Sequence, residues 1–250
     1  MSAPETLEGW YALHDLRRLD RRAWLSASPE TREKALAEAR DLLDAFARVD
    51  DAPEGRSITY AVLGHKADVL LFHLRPEVSK LAALEQAFDR SLLGSMTTRP
   101  YSYLSVIEIS RHGAPEGTAE NIENSPYIQS RLRPGIPDHS RFICFYPMNK
   151  KRNLSDNWYS LSQDERASYM REHGRTGRRY AGKVTQIVTG SMGLDDWEWG
   201  VTLFSDDPLQ FKKLVYEMRF HEVSARFGEF GPFYVGERVE TNDLRRLLGE

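Results

Sequence analysis

The chain has 250 residues, 40% of them hydrophobic and 28% charged, and its 34 Lys and Arg against 37 Asp and Glu leave a formal net charge of −3. That length holds one large domain or two fused small ones with a real core, which argues against an intrinsically disordered chain. No run of about 18 apolar residues occurs, the opening lacks a basic-then-apolar leader, and the charge leaves no nucleic-acid footprint. A cytoplasmic protein with neither a membrane span nor a nucleic-acid partner is the expectation, and the single cysteine, Cys144, excludes internal disulfides and thiolate metal clusters.

Trp10 to Leu16 mixes apolar and polar residues as a half-buried strand does. Ser28 can cap, and Pro29 can open, a helix whose Leu36, Ala39, Leu43 and Phe46 recur at the steps of three and four that line one helical face. β-like runs follow at Ile58 to Leu63 and Val69 to Leu74. A second helix spans about Glu77 to Leu93, striped by Val78, Leu81, Leu84, Phe88 and Leu92, with Gly94 as its stop. A strand covers Tyr101 to Ile109. Residues 111–140 then lose all periodicity among Gly, Pro, Asn and Ser and read as a connection.

The second half opens with a strand at Phe142 to Tyr146 and a capping box, Ser162 to Glu165, that starts a helix ending at Gly174. Strands are expected at Val184 to Val188 and Trp197 to Phe204, the latter with Trp197 and Trp199 on one side. Asp207 and Pro208 begin a helix striped by Phe211, Leu214, Val215 and Met218. A last strand is expected around Val223 to Val235, and the charged residues after Gly236 are expected to be solvated.

Strand, helix, strand, strand, helix, strand, written twice, predicts an α+β fold with a duplicated ferredoxin-like βαββαβ unit. Residues 1–110 and 141–236 are the halves, 111–140 the connecting loop and 237–250 a charged tail. Each half makes a four-stranded antiparallel sheet with helices on one face. Two such sheets face to face would form a barrel-like core with helices outside and room for a ligand.

The seven histidines show no HExxH or Cys/His zinc spacing. His173, immediately before Gly174, can ligate a metal whose remaining donors come from a cofactor, although a histidine at a helix C-terminus is more often a dipole-favoured cap. Tyr146 closes an apolar strand ahead of Lys150, Lys151 and Arg152. The plain reading is a strand end and a basic turn; the sharper one is a phenol able to give up a hydrogen atom beside an ammonium that binds a carboxylate. Arg219, Ser224 and Arg226 can meet acidic ligand groups, since Arg offers a fixed donor fork. GxGxxG, Walker and Gly-x-Ser-x-Gly patterns are absent, which removes most support for nucleotide-dependent and serine-hydrolase chemistry.

Phe145-Tyr146-Pro147-Met148, Asn157-Trp158-Tyr159, Arg171-Glu172-His173-Gly174-Arg175, Tyr180 through Gln186, Gly193 through Val201 and Ala225-Arg226-Phe227-Gly228 together resemble the coproheme decarboxylases of the chlorite dismutase-like family. The likeness is dense over about residues 140–236; earlier it rests on Trp10-Tyr11-x-Leu13-His14-Asp15 and the element order. It implies a homopentamer whose C-terminal halves bind iron coproporphyrin III (coproheme), at once substrate and redox cofactor. The implied reaction uses hydrogen peroxide to decarboxylate the propionates at positions 2 and 4 to vinyls, giving haem b and two CO2. Transient contact with a ferrochelatase for substrate delivery fits that pathway.

Residue by residue, the resemblance implies His173 as the axial iron ligand, Tyr146 as the radical-forming tyrosine and Lys150 as the residue that handles the reactive propionates. It implies propionate binding by Arg219, Ser224 and Arg131, with Arg133 a rival because the register of Ser130-Arg131-Leu132-Arg133 is open. Gln186 falls where chlorite-degrading members carry an arginine and actinobacterial decarboxylases a histidine. A neutral amide cannot stabilise an oxychlorine anion, so decarboxylation is favoured over the alternatives, chlorite dismutation and non-catalytic haem binding. Asn149, where an acidic or small residue is expected, departs from the pattern.

Overall fold

The computed structural model describes residues 5–110, 125–138 and 140–248. Most of the expected loop before residue 125, that is 111–124, and residue 139 lie outside the described residues. The chain forms two compact units, Trp10–Val106 with Tyr234–Glu250, and Met1–Gly9 with Ile107–Phe233.

In the first unit the elements are β1 (Thr6–Leu19, its start belonging to the other unit), α1 (Arg21–Ser26), α2 (Pro29–Arg48), β2 (Arg56–Val62), β3 (Val69–Arg75), α3 (Val78–Arg90) and β4 (Thr97–Ser110). They are joined by β9 (Tyr234–Arg238) and α8 (Leu244–Leu248). Strands run in the order β4–β1–β3–β2–β9, the first four of which are the ferredoxin-like order, with β3 antiparallel to β1 and β2. Ser28 caps α2 by accepting the Thr31 N–H at 3.1 Å, and Leu36, Ala39, Leu43 and Phe46 form its buried stripe, as the spacing requires. α3 ends earlier than the sequence suggests. Ser91 Oγ donates to the Phe88 carbonyl at 2.7 Å and accepts the Gly94 N–H at 3.0 Å, which closes the helix before Gly94 is reached. That glycine is needed for close approach, since a Cβ there would lie 1.8 Å from the Phe88 carbonyl oxygen.

The tail after Gly236 is not solvated. β9 adds antiparallel to β2, and Val239, Leu244 and Leu248 are buried with Leu36, Leu43 and Phe46. Leu244 and Leu248, one helical turn apart, contribute roughly 1.5–3 kcal/mol each by burial. The charges that suggest a solvated tail occupy the outer face, where Arg245 pairs with Glu33 and Arg246 with Glu237, both at 2.6 Å. His14 and His73 are enclosed in this unit; burial drives both pKa values down to about 3, and Ser57 Oγ lies 2.7 Å from His73 Nδ1.

The second unit contains α4 (Pro126–Leu132), β5 (Phe142–Lys150), α5 (Gln163–Arg179), β6 (Thr185–Gly190), β7 (Trp199–Ser205), α6 (Leu209–Arg219), α7 (Glu222–Phe227) and β8 (Gly228–Phe230). Its order β8–β5–β7–β6 is ferredoxin-like again, antiparallel throughout. The protein is therefore α+β, with two ferredoxin-like arrangements of strands and helices.

Four local expectations need correction. A short helix, α4, stands within the segment expected to be patternless, opened by Pro126. α5 runs through Gly174 to Arg179; a helical glycine costs only about 1 kcal/mol, and continuing the helix places Thr176 in a buried site. Val223 to Phe227 is helical rather than extended, because Val223 and Phe227, four apart, are buried on one helical face. β7 begins at Trp199, while Trp197 sits in the preceding turn, its carbonyl accepting Ser191 Oγ–H at 2.6 Å, so the two tryptophans do not share a strand face.

Candidate active site

β5 is the backbone of the site. Cys144, Tyr146, Met148 and Lys150 alternate onto one side of it. The register Tyr146↔Val201↔Val188 and Cys144↔Leu203↔Gln186 carries that face across β7 to β6. Gln186 is exposed there, and Val188 keeps 39% of its surface exposed beside the buried Val201. Gly231 lets the chain after β8 pass tightly over β5, since a Cβ would stand 2.8 Å from Pro147 Cγ. That passage lays Phe233 on Tyr146, ring centroids 4.4 Å apart and nearly parallel, with Phe230 at 6.1 Å.

Tyr146 is only 7% exposed and its hydroxyl makes no hydrogen bond among the described residues. Burial raises its pKa well above the ordinary phenol value, the Cys144 thiol adds to this and Arg219 opposes it, so the phenol is firmly protonated. Arg219, the last residue of α6, places its guanidinium 3.5 Å from the Phe230 ring centroid. The cation that acts on Tyr146 is thus Arg219.

Lys150, at the end of β5, lies with Nζ 4.7 Å from the Trp158 ring centroid. Burial pushes its pKa down to about 8, against the opposing pull of Glu198. Glu198 is itself buried and braces the strand end: Oε2 accepts the Lys150 backbone N–H at 2.8 Å, and the Glu198 N–H donates to Asn149 Oδ1 at 2.9 Å. That gives the unexpected Asn149 a structural use. Among the described residues no carboxylate forms an ion pair with Lys150 or Arg219. Lys150, Lys151, Arg152, Asn153 and Glu229 line an open cleft of about 310 Å³.

His173 stands in the interior of α5, two turns from its end, so it is not a C-terminal cap. Its pKa falls to about 4, first through burial and then through the charges of Lys150 and His221, leaving a neutral imidazole. α5 is set against Trp158 and α7 by a small aromatic cluster of Trp158, Val223 and Phe227 with Tyr169, which stands one turn before His173. Among the described residues no three His, Cys, Asp or Glu side chains gather as a metal site, so a metal on His173 must bring its other donors with it. A porphyrin does that, and its flat apolar surface and carboxylates suit the exposed Met170 and Val188 and the two cations that have no ion pair among the described residues.

The remaining expected residues divide. Ser224 is buried on α7 and its side chain has no hydrogen-bond partner among the described residues. Arg131 is exposed on α4 with its guanidinium 5.8 Å from the Tyr127 ring centroid; no contact joins it to Tyr146, Lys150 or His173, and Arg133 is exposed as well. Arg226 is not available to a ligand: it donates to Asp156 at 2.9 Å, Glu222 at 2.8 Å and the Tyr169 hydroxyl at 3.1 Å, a clamp across α5 and α7. Sequence reasoning missed Glu198, His221, Thr176, Phe230 and Phe233, whose only signal is three-dimensional proximity.

A fold of two ferredoxin-like units with a neutral histidine on a helix beside the Lys150 cation points to a haem-protein class, and residues 32–239 match the chlorite dismutase family, to which the chain belongs. A coproheme decarboxylase from Thermus thermophilus is 50% identical over 244 residues, covering 98% of this chain and 96% of that one. A solved structure of a heme-binding protein from Thermus thermophilus superposes with a TM-score of 0.91 at 48% identity, covering 100% of both chains. A mutant chlorite dismutase from Candidatus Nitrospira defluvii shares the fold at a TM-score of 0.76 and 19% identity, covering 96% of each chain.

Proposed function

We propose that the protein is an enzyme that binds iron coproporphyrin III at this site and, with hydrogen peroxide, oxidatively decarboxylates two of its propionates to vinyls, giving haem b and two CO2. The observation that carries this reading is the pair of cations, Lys150 and Arg219, which form no ion pair among the described residues, Lys150 beside a neutral histidine and Arg219 beside a buried protonated tyrosine. A half-buried Lys150 and an exposed Arg219, neither in an ion pair with a described carboxylate, favour a ligand that brings carboxylates to them. The name of the Thermus thermophilus relative supports the same reading.

The bound iron supplies the oxidising power of peroxide. His173 offers one neutral nitrogen to it, and Arg219, Lys150 and the Ser224 hydroxyl hold propionates, with Arg131 a further anchor from α4. Tyr146, once it has lost one electron and its proton, would take a hydrogen atom from a propionate β-carbon and regain its O–H; the carbon radical would then lose CO2 and yield its one remaining electron to the second oxidising equivalent that peroxide supplies through the iron, leaving the vinyl. The Arg219 cation disfavours positive charge on the phenol, so Tyr146 must lose its proton with its electron, and because its hydroxyl has no hydrogen-bond partner among the described residues we place the proton acceptor on the ligand side. Gln186, neutral and exposed on the same sheet face, leaves peroxide access without a cation suited to oxychlorine anions. Assembly as a homopentamer in the cytoplasm and transient contact with a ferrochelatase complete the proposal; no helix among the described residues is long and apolar enough to cross a membrane.

The test is to load the protein with iron coproporphyrin III, titrate hydrogen peroxide and follow the porphyrin by mass spectrometry. Two successive losses of CO2 are expected from the parent, and none from Tyr146→Phe, which retains binding. Haem b formed by Tyr146→Phe would remove the radical role; binding without mass loss in the parent would remove the decarboxylase reading.

A further inference from the structure

Behind His173 lies a chain of polar contacts that the proposed chemistry does not use. His221, an 8% exposed residue at the N-cap position of α7 whose side chain makes no capping bond, places Nδ1 3.4 Å from His173 Nδ1, with the rings 5.5 Å apart and nearly perpendicular. Its other nitrogen, Nε2, lies 3.2 Å from Oγ1 of the buried Thr176. Arg179 Nη2 donates to that same hydroxyl at 3.0 Å, and Arg179 is in turn held by Glu217, which also accepts the Tyr180 hydroxyl at 3.0 Å.

The donor and acceptor rules of these groups limit how the chain can run. A guanidinium only donates, so Thr176 Oγ1 accepts from Arg179 and retains one lone pair and one proton for His221. A neutral imidazole has one N–H and one lone pair, so whatever His221 does at Nε2 fixes the opposite behaviour at Nδ1. A metal on His173 Nε2 requires the proton of that ring on Nδ1, aimed at His221. His221 Nδ1 must then accept, its Nε2–H must donate, and the second lone pair of Thr176 receives it. The contacts close in this direction without moving any heavy atom.

We infer that His221 is a positioning residue for His173: it accepts the His173 Nδ1–H while its own Nε2–H is received by Thr176, and so holds Nε2 of His173 toward the iron of the bound substrate. This rests on the proposed assignment of His173 as the axial ligand. An accepting partner makes the ligating imidazole a stronger donor and restricts its ring rotation, and loss of such partners commonly weakens metal affinity by about 10- to 100-fold. Helix α5 alone cannot do this, because a single χ1–χ2 pair leaves the imidazole free to turn, and the residue that stops it comes 48 positions later in the chain.

The test compares His221→Phe, His221→Asp and Thr176→Val with the parent, using iron coproporphyrin III and metal-free coproporphyrin III as separate probes. His221→Phe keeps a ring of similar size and is expected to lose about tenfold in affinity for the iron porphyrin while binding the metal-free porphyrin as the parent does. In the ferrous complexes the iron–histidine stretch seen by resonance Raman is expected to fall in His221→Phe, fall less in Thr176→Val and rise in His221→Asp, which restores an acceptor with a full charge. Equal losses for both porphyrins would overturn the inference and make His221 a packing residue. An unchanged stretch across all three variants would overturn it too. A parent complex with no iron–histidine stretch would instead overturn the ligand assignment itself, and the relay with it.

Discussion

Lys150 can be separated into its effect on the free chain and its effect on the liganded one. In the folded protein its pKa stands at about 8 rather than 10.5, because burial disfavours the charged form. At about 1.4 kcal/mol per pH unit, that difference opposes folding by about 3 kcal/mol at most, and the water that still reaches the side chain brings it to roughly 1–2 kcal/mol. The sign follows from proton counting: between pH 8 and 10.5 the unfolded chain holds the proton that the folded chain has released, so stability rises with pH across that window, and the full deficit is present below pH 8. Lys150→Met keeps the length of the stem against Trp158 and removes the charge. Urea unfolding of the free chain at pH 7 is therefore expected to show the variant more stable than the parent by about 1 kcal/mol, after allowance for the lost cation–π contact, with a flatter rise between pH 8 and 10. The same variant should bind iron coproporphyrin III more weakly, since the anion no longer finds its cation. A variant less stable than the parent at pH 7, with an unchanged pH slope, would refute the claim that Lys150 is held ready, unpaired, for an anionic ligand.

Three further outcomes are expected. Leu244→Ala should destabilise the chain by about 2–4 kcal/mol in urea unfolding, because Leu244 is buried among the residues of α2; a change near zero would mean that α8 is solvated after all. Lowering the pH from 6.5 to 5 should reduce stability by about 2 kcal/mol for each of His14 and His73, since the unfolded histidines take up protons at 6.5 while the folded ones resist until about 3; the drop in urea midpoint should shrink in His73→Gln. Chlorite given to the haem-loaded parent should evolve oxygen only at background, and to Gln186→Arg measurably more, in an oxygen-electrode assay; vigorous evolution by the parent would show that a neutral amide at 186 does not discriminate against chlorite.

Much of the architecture is legible because it is local. Ser28 with Pro29, and Ser162 with Glu165, mark helix starts by satisfying backbone N–H groups within three residues, and the stripe Leu36, Ala39, Leu43, Phe46 states its own period. The alternation in β5 states which side chains share a face with Tyr146. Short segments are different. Val223 to Phe227 and Leu244 to Leu248 are five residues each, too few for periodicity to separate helix from strand or core from solvent, and their state is decided by what they pack against. Gly174 shows the converse: a strong local stop signal is overridden when helix continuation buries Thr176.

The site divides along the same line. The motifs around Tyr146, His173 and Gln186 stand in contiguous stretches, so the sequence by itself suggests the kind of ligand and the residues proposed to meet it. Arg219 and Arg226 are chemically alike in sequence and seven positions apart; only folding shows that Arg226 is consumed by Asp156 and Glu222 while Arg219, beside Tyr146, forms no ion pair among the described residues. His221 and Thr176 carry no motif, and the packing of α7 on α5 alone makes them neighbours. Composition and spacing determine which groups exist and which local structures they favour. Which of those groups remain unsatisfied, and so ready to bind something else, depends on partners distant in the chain, and only the tertiary structure decides it.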